Sequence, residues 1–254
     1  VGFPSVSRRP NGAIIDFVAN YLDRPGVRIE RDVSDDGERT NLLVWLGGEE
    51  GHEPARARDG LTLSGHVDVV PANEPDWETD PFTLHDAADR YVARGACDMK
   101  GFVALAIQAI ARRAESPGAR RLHHPLALVL TYDEEIGIVG ARELVERAPG
   151  LERLPRRTIV GEPTSLQPIR LHKGHGRLRL EIDGTPAHSG FPHLGHNAIE
   201  PLGRAIVALS ALRQAFESER HETSPHFADV PFVALNPAKI TAGSAVNIVP
   251  ERAV

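Results

Sequence analysis

Four apolar, strand-like runs in this chain each lead into an acidic or histidine residue, and helical segments are interleaved with them. LTLSGHVDVV carries His66 and Asp68, PLALVLTY leads into Glu134 and Glu135, RTIVGEP ends at Glu162, and the short run from Tyr91 to Ala93 turns through Gly95 to Asp98. Strands alternating with helices predict an α/β fold. Its sheet is mostly parallel and covered on both faces, a three-layer α/β/α unit. Open sheets of this kind gather ligands at the carboxyl edge of their strands, where these side chains fall. Carboxylates and an imidazole collected there are the donor set that a hydrolytic two-metal site needs.

The elements follow from periodicity. From Asn11 to Leu22, residues Ile14, Ile15, Val18 and Leu22 recur at helical spacing behind a Pro-Asn entry. Asn41 to Leu46 reads as a strand, followed by a polar loop from Gly47 to Gly60. In LTLSGHVDVV, His66 and Asp68 are two apart and share a face, which leaves Val67 and Val69 for the core. A long apolar helix is predicted from Met99 to about Ala114, with Asp98 at its start. Pro125 to Tyr132 reads as a strand and Val139 to Arg147 as a helix.

Near Pro168 the pattern changes. Leu178, Leu180 and Ile182 alternate with polar residues, as in a half-exposed antiparallel strand. Leu202, Ile206, Leu209 and Leu212 give a helix from Ile199 to Phe216, and further strands are expected at Phe232 to Thr241 and Ala245 to Val249. We therefore expect two domains, residues 1–167 and residues 168–254, the second of α+β type with one solvated sheet face.

Charge and cysteine content narrow the partners. With 29 Lys and Arg against 35 Asp and Glu, the net charge of -6 offers no basic footprint for nucleic acid. No apolar run approaches the ~18 residues of a membrane span, so a small molecule is the expected partner. The single cysteine, Cys97, excludes an intrachain disulfide framework, and the opening VGFPSVSRRP lacks the regions of a signal peptide. A cytoplasmic setting is expected.

The chemistry of each candidate follows from its donor atoms. His66 offers a neutral imidazole, a first-choice ligand for zinc. Asp68, on the same strand face, is placed to accept the other ring N–H and raise the basicity of His66. Asp98 has two oxygens for two cations about 3.5–4 Å apart. Glu134 and Glu135 diverge at a strand end, so one can bind metal while the other takes a proton; Glu162 completes a ligand set. Simpler roles stand beside these: Asp98 as a helix cap, Glu134 and Glu135 as a solvated pair, Glu162 as a turn cap. Asp133 reads as structural.

Taken in order, SGHVDVVP, Trp77 with Asp80-Pro81-Phe82, RGACDMKG, YDEEIG, GEPT, HKG, PAHSG and GHNAI resemble the motifs of the di-zinc aminoacylase/carboxypeptidase metallopeptidase family over nearly the whole chain. That resemblance implies a catalytic α/β domain and a ferredoxin-like α+β lid and dimerisation domain. It implies two Zn(2+), with cobalt or manganese possible, held by His66, Asp98, Glu135 and Glu162. Glu134 would be the general base, Asp68 would orient His66, and His188 of PAHSG would serve the oxyanion from a neighbouring subunit of a homodimer. Asn247 matches an asparagine near the substrate. The implied reaction removes an acetyl group from N-acetylornithine in arginine biosynthesis. N-succinyl-diaminopimelate, another N-acyl amino acid or a peptide are alternative substrates, and a non-catalytic ligand-binding homologue is the alternative class. Family members continue through a segment that supplies a last histidine ligand, so this chain is expected to be part of a larger enzyme.

Overall fold

The structure, a computed structural model, describes residues 1–47, 59–116, 122, 124–147, 151 and 154–254; most of the predicted polar loop after Gly47 lies outside them. The chain divides into two compact units, Val1–Gln167 and Pro168–Val254.

In the first unit, helix α1 (Gly12–Leu22) is followed by strands β1 (Val27–Val33), β2 (Thr40–Leu46) and β3 (Leu61–His66), then by a two-residue pair, β4 (His85–Asp86) and β5 (Tyr91–Val92). Helix α2 (Gly101–Glu115), strand β6 (Leu126–Thr131), helix α3 (Val139–Arg147) and strand β7 (Arg157–Val160) complete it. The five-stranded sheet has the order β1-β2-β6-β3-β7. Because β2 is antiparallel to both neighbours while β3 is parallel to β6 and β7, four of the five strands point the same way. The sheet is thus mostly parallel.

Side-chain alternation divides the core into two layers. Leu42, Val44, Leu46, Leu128 and Leu130 turn one way and pack against Ile15, Val18 and Leu22 of α1 and Val103, Ala106 and Ile110 of α2. Leu43, Trp45, Ala127 and Val129 turn the other way, towards Leu144 of α3. Each fully buried leucine of this kind stabilises by about 1.5–3 kcal/mol relative to exposure. Asn11 locks the start of α1 to β2 instead of capping the helix: its side-chain amide donates to the Thr40 carbonyl at 3.0 Å and its oxygen accepts the Thr40 amide at 2.8 Å.

Two details differ from the periodicity. Strand β1 (VRIERDV) pairs with β2 along its whole length, although only its apolar residues hint at a strand and all of it is at least partly exposed. Helix α2 begins at Gly101, two residues after Met99, because Asp98 (φ -116°, ψ 101°) and Met99 (φ -131°, ψ 28°) are not helical. The Asp98–Met99 peptide bond is cis.

In the second unit, strands β8 (Ile182–Asp183) and β9 (Arg252–Ala253) form an antiparallel pair, and helix α4 (Ile199–Ser218) packs on them through Leu202 and Ile206, with Ala198 just before the helix. The strands expected at Phe232 to Thr241 and Ala245 to Val249 are irregular segments, the first without a bridge and the second with one isolated bridge at Ile248, and Arg177 to Glu181 precedes β8 without strand pairing. Leu178, on the alternating stripe, is 94% exposed. Alternation makes a strand only where a neighbour takes its hydrogen bonds and covers its apolar face, and the second unit provides neither at Leu178.

Candidate metal centre

Parallel pairing brings the strand ends together. Strand β3 ends at His66, opposite Thr131 on β6, and its ladder with β7 continues when the Gly161 amide donates to the Ser64 carbonyl at 3.1 Å. Glu134 and Glu162 therefore leave the sheet on either side of His66. The loop through Gly95, whose φ of 80° suits a glycine, brings in Asp98.

His66 is 1% exposed, and its Nε2 lies 3.2 Å from Asp98 Oδ1, 3.8 Å from Glu134 Oε2 and 3.9 Å from Glu162 Oε1. One donor atom each from His66, Asp98 and Glu162 falls within 4.8 Å of the others, a group that could hold a metal ion. The Glu135 carboxylate is not brought into this group. Its backbone amide donates to Asp68, and its carboxylate is close enough to feel the charges of Asp98 and His66.

Asp68 does more than the sequence indicates. His66 Nδ1 lies 3.0 Å from the Asp68 backbone carbonyl and 3.4 Å from its carboxylate Oδ1, so the imidazole rests against both. The Asp68 carboxylate also accepts the Glu134 amide at 3.0 Å, the Glu135 amide at 3.3 Å and the Ser7 hydroxyl at 2.8 Å. Expected to serve only its neighbour on the strand, Asp68 instead joins three separate segments.

Electrostatics fit a cation. Burial opposes the charged form of His66, but Asp68, Glu134 and Glu162 outweigh it and raise the imidazole to about 9. Burial raises the carboxyls of Glu135 and Glu162, and the charge of Asp98 raises both further. Burial would also raise Asp68; the His66 ring, the Glu134 amide and the Ser7 hydroxyl hold it below the usual range. Carboxylates crowded round one imidazole are relieved by a positive charge, so the donor set suits a divalent cation.

The simpler roles fare differently. Asp98 caps no helix: neither the turn at Ala96–Lys100 nor α2 has a side-chain cap bond. Asp133 is structural, its carboxylate accepting the Arg8 amide at 2.7 Å and the Arg39 guanidinium at 2.6 Å. Two residues near the site escaped sequence reasoning. Lys100 is 2% exposed, donates to the Phe3 carbonyl at 2.7 Å and is lowered to about 8 by burial, partly offset by Asp68. The other is Ser7, in an opening segment with no periodicity to flag it.

His188 and Asn247 belong to the second unit, where they lie on neighbouring segments. His188 bridges to Ile248, and the Ser189 amide donates to the Asn247 carbonyl at 2.9 Å. His188 is exposed, its Nδ1 accepts the Gly190 amide at 3.0 Å, and Phe191 meets its ring edge-on. An open groove of about 600 Å³ lies beside them, lined in part by Ser189, Asn197, Ser244 and Val246. None of the residues around His66 lines it.

A family model described as Peptidase family M20/M25/M40 matches residues 62–249, a stretch that includes every residue named in this centre except Ser7 and Arg8 at the start, Phe3 beside Lys100, and Arg39. The chain belongs to this family. Acetylornithine deacetylase of Proteus mirabilis (strain HI4320) is 37% identical over 254 residues, 97% of this chain and 61% of the relative. Acetylornithine deacetylase of Myxococcus xanthus is 38% identical over 253 residues, 98% of this chain and 62% of the relative. The M20 chain thus spans about three fifths of the length of these curated relatives. Among solved structures, the M20 family metallo-carboxypeptidase Sso-CP2 from Sulfolobus solfataricus matches with a TM-score of 0.56 at 18% identity, covering 95% of this chain and 63% of that one. Human carnosine dipeptidase 1 matches with a TM-score of 0.55 at 18% identity, covering 99% and 66%. At such identities the likeness shows a shared fold.

Proposed function

We propose that the complete protein is a metal-dependent amidohydrolase that removes the acetyl group from N-acetylornithine in arginine biosynthesis. The observation that carries the hydrolytic reading is the buried His66 Nε2 with carboxylate oxygens of Asp98, Glu134 and Glu162 all within 3.9 Å at a parallel sheet edge. The choice of substrate rests on the deacetylases 36–38% identical over nearly the whole chain.

His66, Asp98 and Glu162 would hold one divalent cation, zinc by preference with cobalt or manganese possible, and Asp98 with Glu135 a second. Bound cations lower the pKa of water towards ~7 and polarise a carbonyl. Asp68 holds the His66 ring and the amides of both glutamates, which fixes where the Glu134 carboxylate begins. Glu134 takes the proton from the attacking water and delivers it to the departing amine, so that water and amide become acetate and ornithine. His188 donates to the oxyanion in a homodimer in which each copy serves the other, and Asn247, beside it, contacts the substrate. The first unit is the catalytic domain in this reading, and the second is the lid and dimerisation domain. The single cysteine of this chain supports a reducing, cytoplasmic setting.

The test is amine release by the complete, zinc-loaded protein from N-acetylornithine beside N-succinyl-diaminopimelate. Release from the acetyl substrate alone is expected. Release from the succinyl substrate alone would keep the chemistry and replace the substrate; silence on both with metal bound would overturn the assignment.

A further inference from the structure

The opening residues of the chain form a short ladder beyond the end of β3. The Val69 amide donates to the Ser5 carbonyl at 3.1 Å, the Ser7 amide donates to the Val69 carbonyl at 3.1 Å, and the Ser5 hydroxyl donates to the Val67 carbonyl at 2.5 Å. This parallel bridge, centred on Val6 and Val69, continues the sheet past His66 and brings Ser7 to Asp68. The next residue, Arg8, gives its amide to Asp133, immediately before Glu134. One opening segment, turning at Ser7 and Arg8, thus grips the ends of β3 and β6, two of the three strands that supply the centre.

Ser7 is where this grip reaches a side chain that matters for the centre. Its hydroxyl donates to Asp68 Oδ2 at 2.8 Å, with the Val69 carbonyl a second, longer acceptor at 3.3 Å. Among the described residues, Oδ2 otherwise receives only the Glu135 amide at 3.3 Å, while Oδ1 receives the Glu134 amide and faces His66 Nδ1. The last torsion of an aspartate is broad and roughly two-fold, so donors decide the plane of its carboxylate. Hydrogen bonds to an ionised acceptor are the strong ones, which makes the Ser7 hydroxyl a principal restraint on that plane. Without it, Oδ2 keeps only the long Glu135 bond, and the carboxylate can pivot on the Glu134 bond, changing the angle at which Oδ1 meets His66 Nδ1 and loosening the support that it adds to that of the Asp68 backbone carbonyl.

We propose that Ser7 is a positioning residue of the metal centre: by fixing the Asp68 carboxylate it fixes the His66 ring and so sets the affinity of the His66, Asp98 and Glu162 group for a divalent cation. The proposal rests on the metal-binding part of the functional reading and is independent of the substrate. Groups that orient a ligating histidine typically change metal affinity by about 10–100-fold when removed.

The test uses the complete protein stripped of metal and titrated with Co(II) against a competing chelator. Ser7→Ala, which acts on the ring only through Asp68, is expected to weaken cobalt binding by about tenfold, the lower end of that range, while Ser7→Thr, which keeps the hydroxyl, stays within about threefold of wild type. Ser5→Ala removes a hydrogen bond from the same ladder without touching Asp68, and is expected to keep wild-type affinity even if its thermal midpoint falls. Loss of affinity in Ser7→Ala and Ser5→Ala alike would overturn the proposal, as would an unchanged Ser7→Ala or a wild type that binds no cobalt. A wild type that binds cobalt normally but releases no amine would sink the deacetylase reading and leave the role of Ser7 intact.

Discussion

The two units of this chain treat their apolar residues in opposite ways. In the first unit the central strands β2 and β6 have both faces covered by helices, and Leu42, Val44, Leu46, Leu128 and Leu130 are fully buried. In the second, the buried residues are Ala198, Leu202, Ser224, Val249 and Ala253, while Leu178, Val207 and Val246 are largely exposed. Closure of a core within one unit is what holds polar side chains at fixed distances, and the His66 group lies in the unit that achieves it. A rigid scaffold presenting ligands at its edge is the general arrangement for a site that must keep its geometry.

The largest effect that sharpens this contrast is on turnover. If the first unit supplies the proton relay, Glu134→Gln is expected to lower kcat by about 10²–10⁴-fold while the bound metal count stays the same. If the second unit supplies the oxyanion donor, His188→Ala lowers kcat by about 10²–10³-fold. Metal analysis alongside steady-state kinetics checks both. A normal kcat in His188→Ala would confine the chemistry to the first unit; a normal kcat in Glu134→Gln would remove the base assigned to it.

Next comes stability. Leu128→Ala, at a fully buried position between α1 and α2, is expected to cost about 2–5 kcal/mol. Leu178→Ala, at a position 94% exposed, is expected to stay within about 0.5 kcal/mol. Denaturant unfolding of the complete protein measures both. A large loss at Leu178 would mean that this stripe is covered in solution and that the contrast between the units is smaller than drawn.

What the sequence made legible follows the same contrast only in part, because helix α4 of the second unit also lies where periodicity put it although Leu202 is its one buried residue. Helix α1, strands β2, β3 and β6 and helix α3 lie close to where periodicity put them; α1, β2 and β6 bury contiguous apolar faces, β3 is held by pairing on both sides and α3 by Leu144. Strand β1 was hidden by Arg28, Glu30, Arg31 and Asp32 along an edge whose pairing with β2, not its pattern, makes it a strand. At Leu178 the pattern was clear, yet no partner strand forms. In the site, the meeting of His66 with Asp98, Glu134 and Glu162 follows from parallel strand ends, which a sequence can place. Ser7 lies 61 residues from Asp68 in a segment with no pattern, so only the folded chain reveals their bond.

A smaller effect asks whether the second unit is loosely ordered throughout. Gly184, just after β8, is packed so closely that a Cβ there would lie 2.2 Å from the His196 carbonyl and 2.9 Å from the Pro250 carbonyl. Backbone atoms cannot give way as a flexible side chain can, so Gly184→Ala is expected to cost about 1–3 kcal/mol. This junction carries the Thr185–His196 bridge and lies close in sequence to His188. A neutral Gly184→Ala would show that the segment leading to His188 is free to shift; the expected loss would show that the unit concentrates its order where His188 is presented.

The smallest effect belongs to surface charge, where the two units should behave alike. Asp36 accepts the Ser34 hydroxyl at 2.6 Å and the Glu38 amide at 3.0 Å and pairs with Arg39, and chiefly the Ser34 bond lowers it to about 2. Glu181 pairs with Arg252 at 2.6 Å and with Arg179, which lower it too. Each is a carboxylate with a depressed folded-state pKa, so each favours folding above its unfolded value and loses that contribution as acid protonates it, for Asp36 as the pH falls from 3.8 through about 2. Exposed pairs are screened by water and salt, so neither Asp36→Asn nor Glu181→Gln should shift the thermal midpoint appreciably at neutral pH. Any flattening of the acid limb in Asp36→Asn should be equally small, because by linkage it equals what the screened carboxylate contributes at neutral pH. Its pair partner Arg39 also holds Asp133, so a large neutral-pH loss in Asp36→Asn, unmatched in Glu181→Gln, would reveal that the first unit carries its order out to the surface through that arginine.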